Sequence, residues 1–180
     1  MDNWILINRN GSLEQRPFLM QGGKEYVTKH LSRKELDADD GTICMFEPML
    51  ALFEHTRKTI GRPIAINSGY RTPAHQDRLK QQGYKAAGDS PHLRGAALDC
   101  ALPAGINAEQ LAMYFRQSAH ALGLPRPRLG WKQYGGAFLH VDLVFMMYDK
   151  YMPLVSHLPN GVRIGGPNPH PANWREGVTW

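Results

Sequence analysis

The chain has 180 residues, of which 42% are hydrophobic and 21% are charged. This composition excludes a wholly disordered, fibrous or coiled-coil protein. Its apolar runs are too short for a membrane span, and polar residues interrupt the first 15 positions, unlike a signal peptide. The net charge of +5 suits either solubility alone or an anionic partner such as nucleic acid, anionic lipid or a cell-wall polymer.

The first elements in chain order are a strand over Trp4 to Ile7, a turn at Asn10-Gly11 and a short helix capped by Ser32 with Glu35. A longer helix is predicted over 45–60, because its apolar residues recur every three to four positions. Gly61 is the expected end of this helix.

The later patterns predict a strand over 62–67, a helix over 72–82 and a loop over 84–93. They then predict a strand over 95–102, a helix over 107–123 and two strands over 128–131 and 137–145. Thr72-Pro73 and the pair Asn107 and Gln110 are typical of helix starts, and Gly135-Gly136 is typical of a turn. This order predicts an α+β fold in which helices flank a small, largely antiparallel sheet.

The chain is expected to divide into an N-terminal extension over 1–24, one domain over 25–152 and a tail over 153–180. The tail holds five of the 13 prolines and is predicted to be rich in loops. Its Trp174 and Trp180 favour packing back on the domain, because tryptophan rarely remains fully hydrated.

The two cysteines, Cys44 and Cys100, are too few for a disulfide framework or a four-cysteine zinc site. Cys44 opens the predicted helix over 45–60, and Cys100 lies in a predicted strand. Two buried thiols are the favoured interpretation, and a single bridge between them stays open.

The segment that begins at His92 and ends at Asp99 is the first chemical motif. Gly95 between them allows a close backbone approach, so His92 of the loop can fold back over the strand that presents Asp99. Alone, His92 would equally suit an ordinary polar loop.

The second motif is the predicted strand that carries His140 and Asp142. Residues two apart share a face of a strand, so both point away from the apolar side. Alone, this pair would also suit a structural hydrogen bond. On neighbouring strands, His92, Asp99 and His140 would converge as two imidazoles and one carboxylate, which suits a catalytic zinc ion with one open position.

These motifs, together with the Ser-Gly-Tyr-Arg turn over 68–71, resemble the zinc D-alanyl-D-alanine carboxypeptidase family. This family includes murein endopeptidases and phage lysins, with the Hedgehog amino-terminal domain as a distant relative. The resemblance covers roughly 30–145 and is strongest to the branch whose last motif reads His-x-Asp. It implies that 25–152 is a carboxypeptidase-like domain with one zinc ion at the centre of its sheet.

The resemblance also implies roles for individual residues. The zinc ligands would be His92, Asp99 and His140, and Arg71 would hold the substrate carbonyl or the developing oxyanion. A salt bridge that anchors the turn is the alternative for Arg71. Ser68 and Gln76 are either substrate-binding residues or ordinary turn and helix residues.

The general base is less defined, since no acid or histidine lies over 133–139, where the family often carries one. Asp142 is the nearest candidate: it is either the base that moves the proton or an outer residue that orients a histidine ligand. Asp89 and His75 are lesser candidates.

The resulting expectation is a monomeric zinc metallopeptidase of D,D- or L,D-carboxypeptidase or endopeptidase type, acting on peptidoglycan stem or cross-link peptides. Without a signal peptide it would be made in the cytoplasm and reach the cell wall as a phage-type lysin. The alternative is a non-catalytic zinc-containing binding module on the same scaffold. Nucleic-acid binding is not expected, because no basic and aromatic stripe is present.

Overall fold

The computed structural model describes residues 3–37, 41–84, 90–143 and 146. Its strands are β1 Asn3–Ile7, β2 Leu13–Pro17, β3 Leu19–Gln21, β4 Lys24–Tyr26, β5 Cys44–Phe46, β6 Ile66–Ser68, β7 Ala97–Ala101, β8 Arg128–Gly130 and β9 Phe138–Asp142. Its α-helices are α1 Arg33–Leu36, α2 Glu47–Ile60, α3 Pro73–Gln81 and α4 Ala108–Ala121. Two 3-10 helices cover Pro91–Arg94 and Lys132–Tyr134.

The central sheet has the strand order β6-β7-β9-β8, and each neighbouring pair is antiparallel. On its apolar side, Leu139 and Val141 of β9 are fully buried, and helix α4 packs against β9 and α2. The predicted α+β fold with helices on a small antiparallel sheet is confirmed. The other side of β9 carries Phe138, His140 and Asp142.

A second sheet of order β2-β1-β5 corrects the predicted start of the long helix. Residues 44–46 form a strand that pairs in parallel with β1, and Cys44 therefore opens no helix. The three side chains are completely buried. Because both faces of the strand are buried, its residues are all apolar and lack the alternation of apolar and polar residues that would indicate a strand. Helix α2 begins at Glu47 instead, with Pro48 in its first turn, where a missing N–H costs little.

Other predicted boundaries shift for local reasons. The strand predicted over 62–67 begins only at Ile66 and ends at Ser68. Pro63 has no N–H to donate to a neighbouring strand, so the segment around it does not pair. Part of the predicted loop over 84–93 is a 3-10 helix, in which Pro91 follows a capping Ser90. Gly61 ends α2 in the left-handed conformation, as predicted.

The N-terminal strands share the core of the central sheet. Trp4, Leu6 and Ile7 of β1 belong to the same hydrophobic cluster as the buried residues of β9. The tail over 153–180, with Trp174 and Trp180, lies outside the described residues. The boundaries at 24 and 152 therefore stay predictions.

Both cysteines are buried, free thiols, Cys44 in β5 and Cys100 in β7. Burial raises the pKa of each thiol, so the reactive thiolate is disfavoured. The interpretation as two buried thiols is confirmed. Among the described residues, no helix has the length and apolar character needed to cross a bilayer.

Candidate metal centre

Strand pairing brings the two sequence motifs together. Asp99 of β7 lies directly opposite His140 of β9 in the antiparallel register. Their side chains share the face of the sheet opposite the apolar core, as the alternation of β9 predicts. All three predicted ligands converge at this face, because His92 approaches it from the preceding 3-10 helix.

A tight turn holds His92 over the sheet. The hydroxyl of Ser90 accepts a hydrogen bond from the His92 backbone N–H, and the turn ends at Gly95 with a φ of 61°. A Cβ on Gly95 would lie 2.2 Å from the carbonyl oxygen of Cys44, closer than any side-chain atom can approach. The close backbone approach predicted for Gly95 is therefore present, and it is made to strand β5.

The three ligand atoms face one another at metal-binding distances. His140 Nδ1 lies 2.8 Å from Asp99 Oδ1, and His92 Nε2 lies 3.3 Å from each of these two atoms. Tetrahedral zinc with bonds of about 2.0–2.1 Å would separate neighbouring ligands by about 3.3 Å. The geometry and the donor types therefore fit a zinc ion with a fourth position for another ligand.

Hydrogen bonds behind the cluster set which ring nitrogen faces it. His92 Nδ1 lies 2.7 Å from the carbonyl oxygen of Gly69, which can only accept, so Nδ1 donates. His140 Nε2 donates to Asp142 Oδ2 over 2.9 Å. The remaining nitrogens, His92 Nε2 and His140 Nδ1, both face Asp99, and with zinc bound they would present their lone pairs to the ion.

The electrostatics of the cluster also favour a cation. Burial by itself would raise the pKa of Asp99, but the charges and hydrogen bonds of His92 and His140 hold it well below its usual range. Burial lowers the pKa of His92. It acts in the same direction on His140, but hydrogen bonds to Asp142 and Asp99 outweigh it and raise the pKa to about 9. Without a metal, a proton on the histidine pair takes the place of the cation.

Arg71 and Ser68 lie beside the carboxylate of Asp99. Arg71 donates from Nη2 to Asp99 Oδ2 over 2.9 Å and from Nε to the Ser68 hydroxyl over 2.8 Å. The Arg71 side chain is 16% exposed, so it is partly accessible to solvent. Gln76 is buried on helix α3.

Asp142 lies at the end of β9 and binds a residue that the sequence analysis missed. Arg128 of β8 donates from Nε to Asp142 Oδ1 over 2.8 Å and from Nη2 to Oδ2 over 2.7 Å. Asp142 is completely buried and Arg128 is 2% exposed. The signal for Arg128 was indirect: a carboxylate on an apolar strand needs a buried partner, but the sequence does not show which arginine supplies it.

Two aromatic rings border the same face of the sheet. Tyr134 stacks on Phe138 with ring centroids 4.3 Å apart and an interplanar angle of 25°. Phe138 is two residues before His140 in β9, so it shares the face of the cluster. Of the lesser base candidates, Asp89 lies outside the described residues, and His75 accepts a hydrogen bond from the Arg78 side chain.

The chain is similar to known proteins. A family model described as Peptidase M15 matches residues 24–142. Among solved structures, the chain is similar to the L-Ala D-Glu endopeptidase ChiX of Serratia marcescens, with 24% identity, a TM-score of 0.48, and coverage of 58% of this chain and 84% of that chain. No curated protein matches the chain.

Proposed function

The chain belongs to the peptidase M15 family, and on this basis we propose that it is a zinc-dependent peptidase that hydrolyses a peptide bond in peptidoglycan stem or cross-link peptides. One observation carries the proposal: two imidazole nitrogens and one carboxylate oxygen converge within 3.3 Å of one another. Both nitrogens would present lone pairs to a bound ion, because hydrogen bonds hold the other ring nitrogens. Such a set is typical of a catalytic rather than a closed zinc site.

His92 Nε2, Asp99 and His140 Nδ1 would hold the zinc ion. When bound, the ion supplies Lewis-acid chemistry, which makes water a better nucleophile near neutral pH and polarises a carbonyl group. The protein's own part is to keep the ligand atoms in place. Gly69 and Asp142 do so through the outer nitrogens of the two rings.

Arg71 is proposed to stabilise the negative charge that develops on the scissile carbonyl oxygen. Its Nε and Nη2 are oriented by Ser68 and Asp99, and a guanidinium has five N–H donors in a fixed plane. A donor held in advance stabilises the charge without reorganising at the moment of reaction. Ser68 thus supports Arg71, and Gln76 stays a proposed substrate-binding residue.

Asp142 is proposed to orient His140 rather than to act as the base. Arg128 binds both of its carboxylate oxygens, and His140 donates to one of them. The side chain is completely buried, so the water molecule that attacks the substrate would have to displace these partners to reach the Asp142 carboxylate. The hypothesis that Asp142 moves the proton stays a prediction.

The proposal is tested by incubating the zinc-loaded protein with purified murein and analysing the released peptides by mass spectrometry. We expect new termini at one peptide bond and a loss of cleavage with a chelator. His140→Ala should abolish cleavage, whereas His120→Ala, which removes an exposed histidine of α4, should not. Stoichiometric zinc with intact murein would reject the peptidase and support a non-catalytic zinc-containing binding module.

The bond type and the route to the cell wall complete the proposal. The mass of the new termini assigns the enzyme to a D,D-, L,D- or other carboxypeptidase or endopeptidase type. The net charge of +5 supports an anionic wall polymer as the partner. We propose that the protein acts as a phage-type lysin. Lysis of bacteria by externally added protein, on cells with a permeabilised outer layer, is the expected result for such a lysin.

A further inference from the structure

A tyrosine lies where the sequence lacks the acid or histidine of related enzymes. Tyr134 is the last residue of the 3-10 helix Lys132–Tyr134, and 37% of its surface is exposed. The turn after it contains Gly135 and Gly136, both with positive φ. The N–H of Tyr134 donates to the carbonyl of Trp131, and the N–H of Ala137 donates to the carbonyl of Tyr134. The backbone at Tyr134 is therefore held from both sides.

The Tyr134 ring stacks on Phe138, which lies on the same face of β9 as the candidate metal centre. The centroid distance of 4.3 Å is that of offset-stacked aromatic rings. Phe138 and His140 are two residues apart on one face of β9, which separates them by about 7 Å along the strand. That distance is about the length of one extended dipeptide unit, so a peptide at the centre would pass the stacked rings.

Tyr134 interacts electrostatically with Arg71. Burial lowers the pKa of Arg71, whereas Asp99 and Tyr134 act on it in the opposite direction through their charges. The phenol oxygen is thus within electrostatic reach of the guanidinium, which itself borders Asp99. Tyr134 therefore offers a second hydrogen-bond donor on the same side of the sheet as the group proposed to stabilise the oxyanion.

We infer that Tyr134 is a catalytic residue whose hydroxyl donates a hydrogen bond to the oxyanion that develops on the scissile carbonyl, next to Arg71. This inference rests on the proposed peptidase function. The phenol acts as a hydrogen-bond donor and neither gains nor loses a proton in the step, so the step needs no further reactant. The stack on Phe138 restricts the ring, which orients the hydroxyl in advance.

The first test compares the kinetics of Tyr134→Phe with those of the wild type at saturating zinc. This variant keeps the stacked ring and removes only the hydroxyl. We expect kcat to fall by about 100-fold, the loss typical of one oxyanion donor, with KM within about twofold. Tyr84→Phe is the matched control, because Tyr84 is 65% exposed at the end of α3, and it should keep the wild-type kcat.

Phe138→Leu tests whether the stack positions the hydroxyl. Zinc content must match the wild type, since Phe138 is close to His140 in the chain. We expect a smaller loss of kcat than in Tyr134→Phe, and no further loss when Phe138→Leu is added to Tyr134→Phe. Unchanged kcat in Tyr134→Phe, or a raised KM alone, would overturn the inference.

A binding measurement separates this inference from the proposed function. Inorganic phosphate is a small tetrahedral oxyanion, and calorimetry gives its Kd for the zinc-loaded proteins independently of any cleavage. Tyr134→Phe should weaken phosphate binding by about tenfold or more, as expected for one hydrogen bond to a charged group, and Tyr84→Phe should not. Equal affinities, or no binding by the wild type, would overturn the inference even if murein is cleaved. A phosphate difference without any cleavage would reject the proposed function alone.

Discussion

Replacing Asp142 by asparagine distinguishes the two roles of this residue. Asp142→Asn keeps the size of the side chain but removes the charge that faces Arg128. It also removes one of the two oxygens that accept four hydrogen bonds from Arg128 and His140. If Asp142 orients His140, the loss should appear in stability and zinc affinity. If Asp142 is the base, it should appear in the rate of the chemical step.

The contacts set the size of the expected effect. Arg128 is 2% exposed, so the substitution leaves a buried guanidinium without its carboxylate. Removing one partner of such a pair costs about 3–5 kcal/mol, which lowers the Tm of a chain of this length by roughly 6–20 °C. Loss of the bond behind a histidine ligand typically weakens zinc binding by about 10–100-fold.

Three measurements on the same variant decide the question. Thermal unfolding of the metal-free protein reports the ion pair, competition with a chelator reports zinc affinity, and kcat at saturating zinc reports the chemical step. Asp77→Asn, at an exposed carboxylate of α3, is the control and should change none of them. A double variant with Asp142→Leu and Arg128→Met should recover much of the lost stability, because it leaves no buried charge.

The outcome that refutes our reasoning is equally specific. A base contributes about 100- to 10,000-fold to the rate. If Asp142→Asn keeps its stability and its zinc but loses activity by such a factor, then Asp142 is the base. Unchanged stability, affinity and rate would mean that the contacts of Arg128 contribute nothing measurable.

Three further predictions follow from the same site and core. Alanine at any one proposed ligand should abolish stoichiometric zinc in metal analysis, and full zinc content would remove that residue from the set His92, Asp99 and His140. Gly95→Ala should lower the free energy of unfolding by about 3 kcal/mol or more, because its Cβ would clash with the backbone of β5 and its φ is positive; a stability equal to that of the wild type contradicts the close approach. Cys44 and Cys100 are buried and free, so a thiol reagent should find no reactive thiol in the folded protein and two after denaturation, whereas none in either state would indicate a bridge.

The parts of the fold that the sequence predicted well have strong local signals. Helix α4 has a capping box at Asn107 and Gln110, and β9 has a regular alternation of apolar and polar residues. The prediction for residues 44–46 was wrong because these residues are apolar throughout, and only their pairing with β1 makes them a strand. Short buried runs carry no period that separates a strand from a helix.

The sequence by itself determined the chemistry available at the site: the His92 and Asp99 motif, the shared face of His140 and Asp142, and the glycine between the first two. The tertiary structure decided how these groups are used. It placed Asp99 opposite His140, turned one ring nitrogen of each histidine toward Asp99, and paired Asp142 with Arg128. The physical reason is that spacing along the chain sets the face on which a side chain lies, whereas strand register and packing set its partner across the sheet.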